Sequence, residues 1–410
     1  MRSNNKKIVI TGADGYIGSN LKSFLEHKGL EIYSITKGGS KREKFHQADI
    51  TDKQSIFELL NKINPDVIIH TAGMSSLAQC EKEKELAWKV NVEGTRNIIE
   101  SIKEINPQIK FIFISSDYIF SGKRGRYTEA DEPDPATYYG KTKLESEKDI
   151  KQNLENYIIC RTANVFGRGG NFFNFIQDNL SRNEQIEVFD DTFYTPTYID
   201  YLLDSLDRLI DLDFKGTIHV TGRERVSRHA FALSMAKTMN KSAKVVNGSA
   251  QPKGGLIAKD SSLNGESAQK LLKNFCPNIE KSLQYCLGSL IYPYFYFEDT
   301  RGRILGLFQD MNWEEVNYIE SLKDQIRGNH YHKETKEAFF IIEGKIRVVL
   351  EDLSGAIPKK EFIAEKGDIF MINYNILHTF EIIEDSKWIN MLSKSIKGDD
   401  KDIHKREKFS

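Results

Sequence analysis

The most restrictive feature of the sequence is a glycine-spaced turn between two periodic segments. The apolar run Lys7–Thr11 ends directly in Gly12-Ala13-Asp14-Gly15-Tyr16-Ile17-Gly18. An amphipathic stretch follows over Asn20–His27, with Leu21, Phe24 and Leu25 on one helical face. Glycines spaced this way between a strand and a helix let the backbone come close to a pyrophosphate, whose charge the helix N-terminus attracts. The alternation then repeats. Strands are expected over Glu31–Thr36, Asp66–Thr71 and Lys110–Ser115, and helices over Ser55–Asn64, Ala87–Asn106 and Tyr139–Asn153. Strands separated by helices pair in parallel through crossovers, so the fold class is α/β with a doubly wound parallel sheet.

From about Tyr157 the pattern continues less regularly to about Leu287, and then the period changes. Tyr292–Leu392 holds short alternating runs such as Ala338–Ile342, Lys345–Leu350 and Ile369–Ile372. Glu343-Gly344, Asp352–Gly355 and Lys366–Asp368 punctuate them as turns. That predicts an all-β region, a barrel or jelly roll. The expected domains are residues 1–287, with substrate binding mainly within 160–287, then 288–393. A dense charge run over 394–410 is expected to be a solvated or disordered tail.

Charge nearly balances, 58 Lys+Arg against 59 Asp+Glu, which gives no surplus that would argue for nucleic acid. Cys80, Cys160, Cys276 and Cys286 show no C-x-x-C spacing, so neither a disulfide framework nor a zinc ribbon is indicated. The polar start leaves no room for a signal peptide, and no apolar run is long enough to cross a bilayer. The expectation is a cytoplasmic protein with no membrane or nucleic-acid partner.

Chemistry concentrates in two places. In the first, an acid at the end of the second strand would hold an adenosine ribose, and a base would hold a 2′-phosphate. The chain offers Lys37, then Lys41 and Arg42, which leans towards NADPH, with NADH the alternative. Asp49 and Ile50 are placed to reach the adenine edge, and Ala72 and Gly73 to line the cofactor. Tyr139 and Lys143 are four apart on one helical face. An ammonium there favours phenolate, so the tyrosine can exchange a proton with an alcohol oxygen while hydride moves at carbon. Ser116, at a strand end, can hydrogen-bond the same oxygen.

At this point residues 6 to about 287 resemble extended short-chain dehydrogenases/reductases with a Rossmann-type sheet, and within them the dTDP-4-dehydrorhamnose reductase group. The resemblance rests on Thr11–Gly18, Ile114–Phe120, Tyr127–Asp131, Tyr139–Lys143, Arg161–Gly167, Thr195–Tyr198 and Lys259–Leu263. It implies a Ser116/Tyr139/Lys143 triad, a cofactor held at Gly12, Asp14, Gly15, Tyr16, Ile17 and Gly18, and substrate contacts from Asp117, Tyr118, Thr195 and Thr197. It also implies reduction of a C4 ketone on a nucleotide-activated deoxysugar.

The second place is His330-Tyr331-His332, then Glu337, then His378. On a strand, His330 and His332 share one face. Three imidazoles and a carboxylate converging inside a barrel suit Zn, Mn, Fe, Ni or Co, with zinc the expected ion. The spacing is similar to the two-part cupin signature, except that Asn373 and Asn375 stand where proline and glycine are usual. Arg327–His332 resembles the C-terminal cupin of bifunctional capsular polysaccharide reductases, and also deoxysugar 3,4-ketoisomerases and 3,5-epimerases. The last two groups work without metal, and Glu337 tilts the reading towards metal. If the imidazoles are ligands, the base falls among Tyr331, Tyr374 and Lys333.

A C4 ketone acidifies the hydrogens at C3 and C5, so epimerisation or ketoisomerisation followed by reduction is a coherent pair for a surface polysaccharide precursor. The alternatives are a reductase whose cupin only dimerises or regulates, and a non-catalytic nucleotide-binding scaffold. The resemblance implies a homodimer.

Overall fold

The structure is a computed structural model and describes residues 6–38, 45–241, 245–249, 258–309, 311–355, 359–396 and 402–405. The chain divides into two compact units. The first holds residues 1–179, 184–232 and 244–279; the second holds 180–183, 233–243 and 280–410.

In the first unit a seven-stranded sheet is built from β1 (Lys7–Thr11), β2 (Glu31–Thr36), β3 (Phe45–Gln47), β4 (Val67–His70), β5 (Lys110–Ser116), β6 (Tyr157–Thr162) and β7 (Gly216–His219). Its order is β7-β6-β5-β4-β1-β2-β3, and every neighbouring pair is parallel. The order reverses between β1 and β4, which opens a crevice at the carboxyl ends of the strands. Helices α1 (Tyr16–His27), α2 (Lys53–Ile63), α3 (Gly94–Ile105) and α4 (Tyr138–Asn153) accompany it. Ile56, Leu60 and Ile63 of α2 and Ile98, Ile99 and Ile102 of α3 recur at helical spacing. They pack with Val9, Ile68 and Phe111 of the sheet in one core. Polar caps fix where helices start: the Asp52 carboxylate accepts from Ser55 N, and the Thr137 hydroxyl from Gly140 N.

Two elements depart from expectation. The run 87–106 is not one α-helix: Lys84–Trp88 leads into a π-turn at Lys89–Glu93 before α3. Helix α1 starts at Tyr16, directly after Gly15, rather than at Asn20. Lys41 and Arg42 lie outside the described residues.

The second unit is β-rich and antiparallel. A hairpin, β8 (Phe295–Asp299) and β9 (Gly302–Gly306), precedes a six-stranded sheet. That sheet is β10 (Glu315–Ser321), β11 (Ile326–His330), β12 (Glu337–Asp352), β13 (Lys360–Glu365), β14 (Ile369–Ile372) and β15 (Ile376–Leu392). The long strands β12 and β15 pair along most of their length, with register shifts around Glu343 and Lys345. Glu343-Gly344 is therefore a bulge inside one strand and not a turn between two. Gly344 has φ +88°, and a Cβ there would sit 2.2 Å from the Asp385 carbonyl oxygen. A bulge bends its strand, so β12 pairs with β14 before it and with β13 after it. Phe339, Phe370, Phe380 and Trp388 fill the inner face, with the Phe339 and Phe370 rings stacked at 4.8 Å.

The charged tail is not wholly free of structure. Asp402 and His404 hydrogen-bond to the segment after β11. No described helix is long and apolar enough to cross a membrane.

Candidate active site and metal centre

The first unit contains a cavity of about 510 Å³ where the Gly15–Gly18 turn, the end of β4, the end of β5 and the start of α4 meet. The glycine turn has the tight geometry its sequence implies. Gly12 has φ +66°, and a Cβ on it would lie 2.6 Å from the Ala72 Cα; a Cβ on Gly18 would lie 2.2 Å from the Gly12 carbonyl. Only glycine lets the turn close under Ala72. Helix α1 then starts with no side-chain cap, so its first amides are available to an anion.

Gly15, Tyr16, Ile17 and Gly18 line the cavity, as do Ala72 and Gly73. Gly12 lies beneath the lining and shapes it, while Asp14 is exposed. Lys37 is also exposed, and its ammonium is 3.0 Å from Asp49 Oδ2. Ile50 does not offer its side chain to a ligand. It belongs to the core and packs where Gly94 has no Cβ.

Ser116, Asp117, Tyr118, Tyr139 and Lys143 all line the cavity. Tyr139 and Lys143 stand one turn apart on α4, and Ser116 ends β5. The Ser116 hydroxyl donates to Asp117 Oδ1 at 3.0 Å and accepts from Tyr118 N at 3.2 Å. Ser261 Oγ donates to Asp117 Oδ2 at 2.6 Å. Burial pushes the Asp117 carboxyl up to about 6, against the two serine hydrogen bonds. Burial also holds the Tyr139 phenol above its ordinary range, with Ser116 opposing. It brings the Lys143 ammonium down to about 7, with Glu147 opposing. The Lys143 ammonium lies 3.9 Å from the Phe113 ring centroid.

Thr195 and Thr197 are not among the residues lining this cavity. Both are buried, and their hydroxyls are consumed internally: Thr221 Oγ1 donates to Thr195 Oγ1 at 2.8 Å, and Thr162 Oγ1 to Thr197 Oγ1 at 3.1 Å. They brace the cavity wall and do not line it. Their neighbour Tyr194 does line it, with Phe172 and Arg228. The Arg228 guanidinium lies over both rings, 4.8 Å from Phe172 and 5.4 Å from Tyr194.

Sequence reasoning missed three buried groups that hold this wall. Asn91, in the π-turn, accepts from Met74 N at 2.7 Å and donates to Thr142 Oγ1 at 2.9 Å, which ties the β4 loop to α4. Glu147 binds the Arg161 guanidinium through both oxygens, at 3.0 and 2.7 Å, and accepts from Ser115 Oγ at 2.6 Å. Its signal was present, since Tyr139, Lys143 and Glu147 continue one helical face. His70 is held neutral by burial, its pKa lowered to about 3, between Thr11 and Thr95.

In the second unit His330, His332, Glu337 and His378 converge, with one donor atom from each within 4.8 Å of the others. They do not share one strand face. His330 ends β11 opposite His378, and His332 follows in irregular chain. The Gly328-Asn329 pair, both at positive φ, makes the bulge that turns the chain inward. Asn375 takes φ +63° and donates its N–H to the His332 carbonyl at 2.6 Å. Asparagine thus makes the turn where glycine was expected, because its side chain tolerates left-handed geometry.

Two of the imidazoles also hydrogen-bond a backbone carbonyl: His332 Nδ1 that of Asp402, and His378 Nδ1 that of Ile376 at 3.2 Å. Glu337 Oε2 lies 3.4 Å from His332 Nε2 and 3.2 Å from His378 Nε2. His332 Nε2 and Glu337 Oε2 are buried with no hydrogen bond of acceptable geometry. Burial lowers His378 to about 4 and also lowers His330, so both are neutral at neutral pH. Tyr331 tilts against the His404 ring at 5.3 Å, and Tyr374 is exposed beneath the Lys336 ammonium.

Relatives cover the first unit. The spore coat polysaccharide biosynthesis protein SpsK of Bacillus subtilis (strain 168) is 31% identical over 233 residues, 56% of this chain and 78% of the relative. A dTDP-4-dehydrorhamnose reductase of Aggregatibacter actinomycetemcomitans is 32% identical over 238 residues, 56% of this chain and 78% of the relative. The crystal structure of dTDP-4-dehydrorhamnose reductase from Bacillus anthracis str. Ames in complex with NADP superposes with a TM-score of 0.63 at 28% identity. It covers 69% of this chain and 98% of that one. The RmlD substrate binding domain model matches residues 6–291, and the chain belongs to that family.

Proposed function

We propose that the first unit reduces the C4 ketone of a nucleotide-activated 4-keto-6-deoxysugar with NADPH, and that the second is a metal-binding cupin that epimerises the keto sugar beforehand. The observation that carries the reductase reading is Ser116, Tyr139 and Lys143 on one cavity wall beside the glycine turn, in a chain of this family. The turn suits a dinucleotide, because a Cβ at Gly12 or Gly18 would fill the space it keeps open. NADPH, when bound, supplies the hydride. Lys37 at the end of β2 and the NADP in the related crystal structure favour it over NADH.

The chain's own groups supply the rest. The Ser116 hydroxyl orients the C4 carbonyl oxygen, and Tyr139 delivers the proton to it. Lys143, one turn away on α4, favours phenolate when it carries its ammonium charge, against the burial that raises Tyr139 and lowers Lys143. Asp117 and Tyr118 meet the sugar, and aromatic walls at Phe172 and Tyr194 keep water from the reacting carbon.

In the second unit the donor set of three imidazoles and one carboxylate, with two orphaned inward atoms, fits a divalent cation. His330, His332, Glu337 and His378 would hold it, zinc being the expected ion, and it would supply Lewis acidity at a carbonyl oxygen. The hydrogens at C3 and C5 are acidic only while C4 is a ketone, so rearrangement precedes reduction. The product suits a surface polysaccharide precursor, and a homodimer is the proposed assembly.

The test is Tyr139→Phe assayed with a keto-sugar nucleotide. It is expected to lower kcat by about 10²–10⁴-fold while NADPH binding is kept. A rate near the parent's contradicts the assignment.

A further inference from the structure

We propose that Asp402–Lys405 is a latch that positions His332 for metal, so that the metal affinity of the second unit depends on its C-terminal residues. This rests on the metal reading above and goes beyond it, since it adds a positioning segment that supplies no ligand.

Tyr331–Thr335 lies outside the strands of the sheet, so its N–H groups need partners elsewhere. The C-terminal segment supplies four of the five. Tyr331 N donates to the His404 carbonyl and His404 N to the Tyr331 carbonyl, both at 2.9 Å. Asp402 Oδ1 accepts from Lys333 N at 2.9 Å. Asp402 Oδ2 accepts from Glu334 N at 2.8 Å, from Thr335 N at 2.9 Å and from Thr335 Oγ1 at 2.9 Å. One carboxylate thus gathers three successive amides and a hydroxyl, as a capping residue gathers the start of a helix.

The same residue reaches the centre. The Asp402 backbone carbonyl accepts the Nδ1–H of His332. As a metal ligand His332 is a neutral imidazole with one N–H and one lone pair, so this bond leaves the lone pair on Nε2. Nε2 faces Glu337 Oε2 at 3.4 Å and has no hydrogen bond of its own. His378 gets the same service from Ile376 two residues away in its own strand. His332 gets it from a residue seventy positions later. His404 closes the segment on itself, with Nε2 3.1 Å from Asp402 Oδ1.

The experiment uses the full chain, a chain ending at Ile396, Asp402→Ala and Asp402→Asn. Zn²⁺ affinity is read by competition with a chromophoric chelator, and site geometry by the absorption spectrum of the Co²⁺ form. Losing an outer-shell partner of this kind costs about 10–100-fold in affinity. That loss is expected for the truncation and for Asp402→Ala, with an altered Co²⁺ spectrum. Asp402→Asn retains an acceptor oxygen and is expected to recover part of the affinity. Circular dichroism establishes that each variant is folded, and the Asn variant keeps the test decisive should the Ala variant not fold. Equal affinity and an unchanged Co²⁺ spectrum across all four chains overturn the latch alone. A full chain that takes up no Zn²⁺ overturns the metal reading and the latch with it.

Discussion

Lys143 shows how much a single buried group sets the behaviour of the first site. Its folded pKa of about 7 lies below the ordinary 10.5 because burial disfavours the ammonium. Between those values the unfolded chain binds more protons than the folded one, so this residue makes stability rise with pH, and its penalty is fully present below about pH 7. Lys143→Met removes the ionisation. The variant is expected to gain stability relative to the parent at pH 6 and to lose most of that advantage by pH 10, read as the difference in Tm. An advantage independent of pH would show that Lys143 is not held down by burial. At the second site Glu337→Gln keeps the shape and deletes the charge. It is expected to weaken Zn²⁺ binding by more than the about 10–100-fold typical of outer-shell changes, as measured by chelator competition. Residues with a fixed spacing were legible in the sequence: the glycines, Tyr139 with Lys143, and the three histidines with Glu337. The burial of Thr195 and Thr197 was not legible, because a buried hydroxyl and a ligand-facing one look alike in sequence. Asn91 gave no signal, since an asparagine in a helical run is ordinary until the π-turn aims it.

At the scale of elements, bulges and irregular turns do most of the aiming. The π-turn at Lys89–Glu93 points Asn91 at the β4 loop, and such single-turn π-bulges, rare elsewhere, recur at functional sites. Gly328 performs the same service in the second unit. At φ +78°, a Cβ on it would lie 2.6 Å from the His378 carbonyl oxygen. Gly328→Ala is therefore expected to destabilise the second unit by about 1–3 kcal/mol and to separate His330 from His378. Thermal unfolding and Zn²⁺ uptake would read the two effects, and a variant that keeps both at parental levels would contradict the register assigned to β11. Strands and helices with a strong period were readable from sequence, among them α1, α2 and α4 beside the parallel sheet. Bulges were not: Glu343-Gly344 has turn composition, and only the pairing of β12 with β15 reveals a continuous strand. The tail was read as solvated from its charge, yet Asp402 spends its charge on the amides after β11.

For the whole molecule, the parallel sheet and the antiparallel region were foreseen because period and turn spacing change together near residue 290. What composition could not convey is that the β-rich unit also takes in residues 280–286 of the helix Ile279–Cys286, with residues 180–183 and 233–243. In the proposed function one substrate would serve both sites in turn, because the acidity that permits rearrangement ends when C4 is reduced. The measurement that bears most directly on this account follows NADPH oxidation with a panel of dTDP- and UDP-4-keto-6-deoxysugars, alongside deuterium uptake at C3 and C5 in D₂O without NADPH. The account predicts NADPH consumption with at least one sugar, and solvent exchange that disappears when the metal is chelated. NADPH consumption without exchange would contradict a catalytic second unit, and no consumption with any sugar would contradict the reductase.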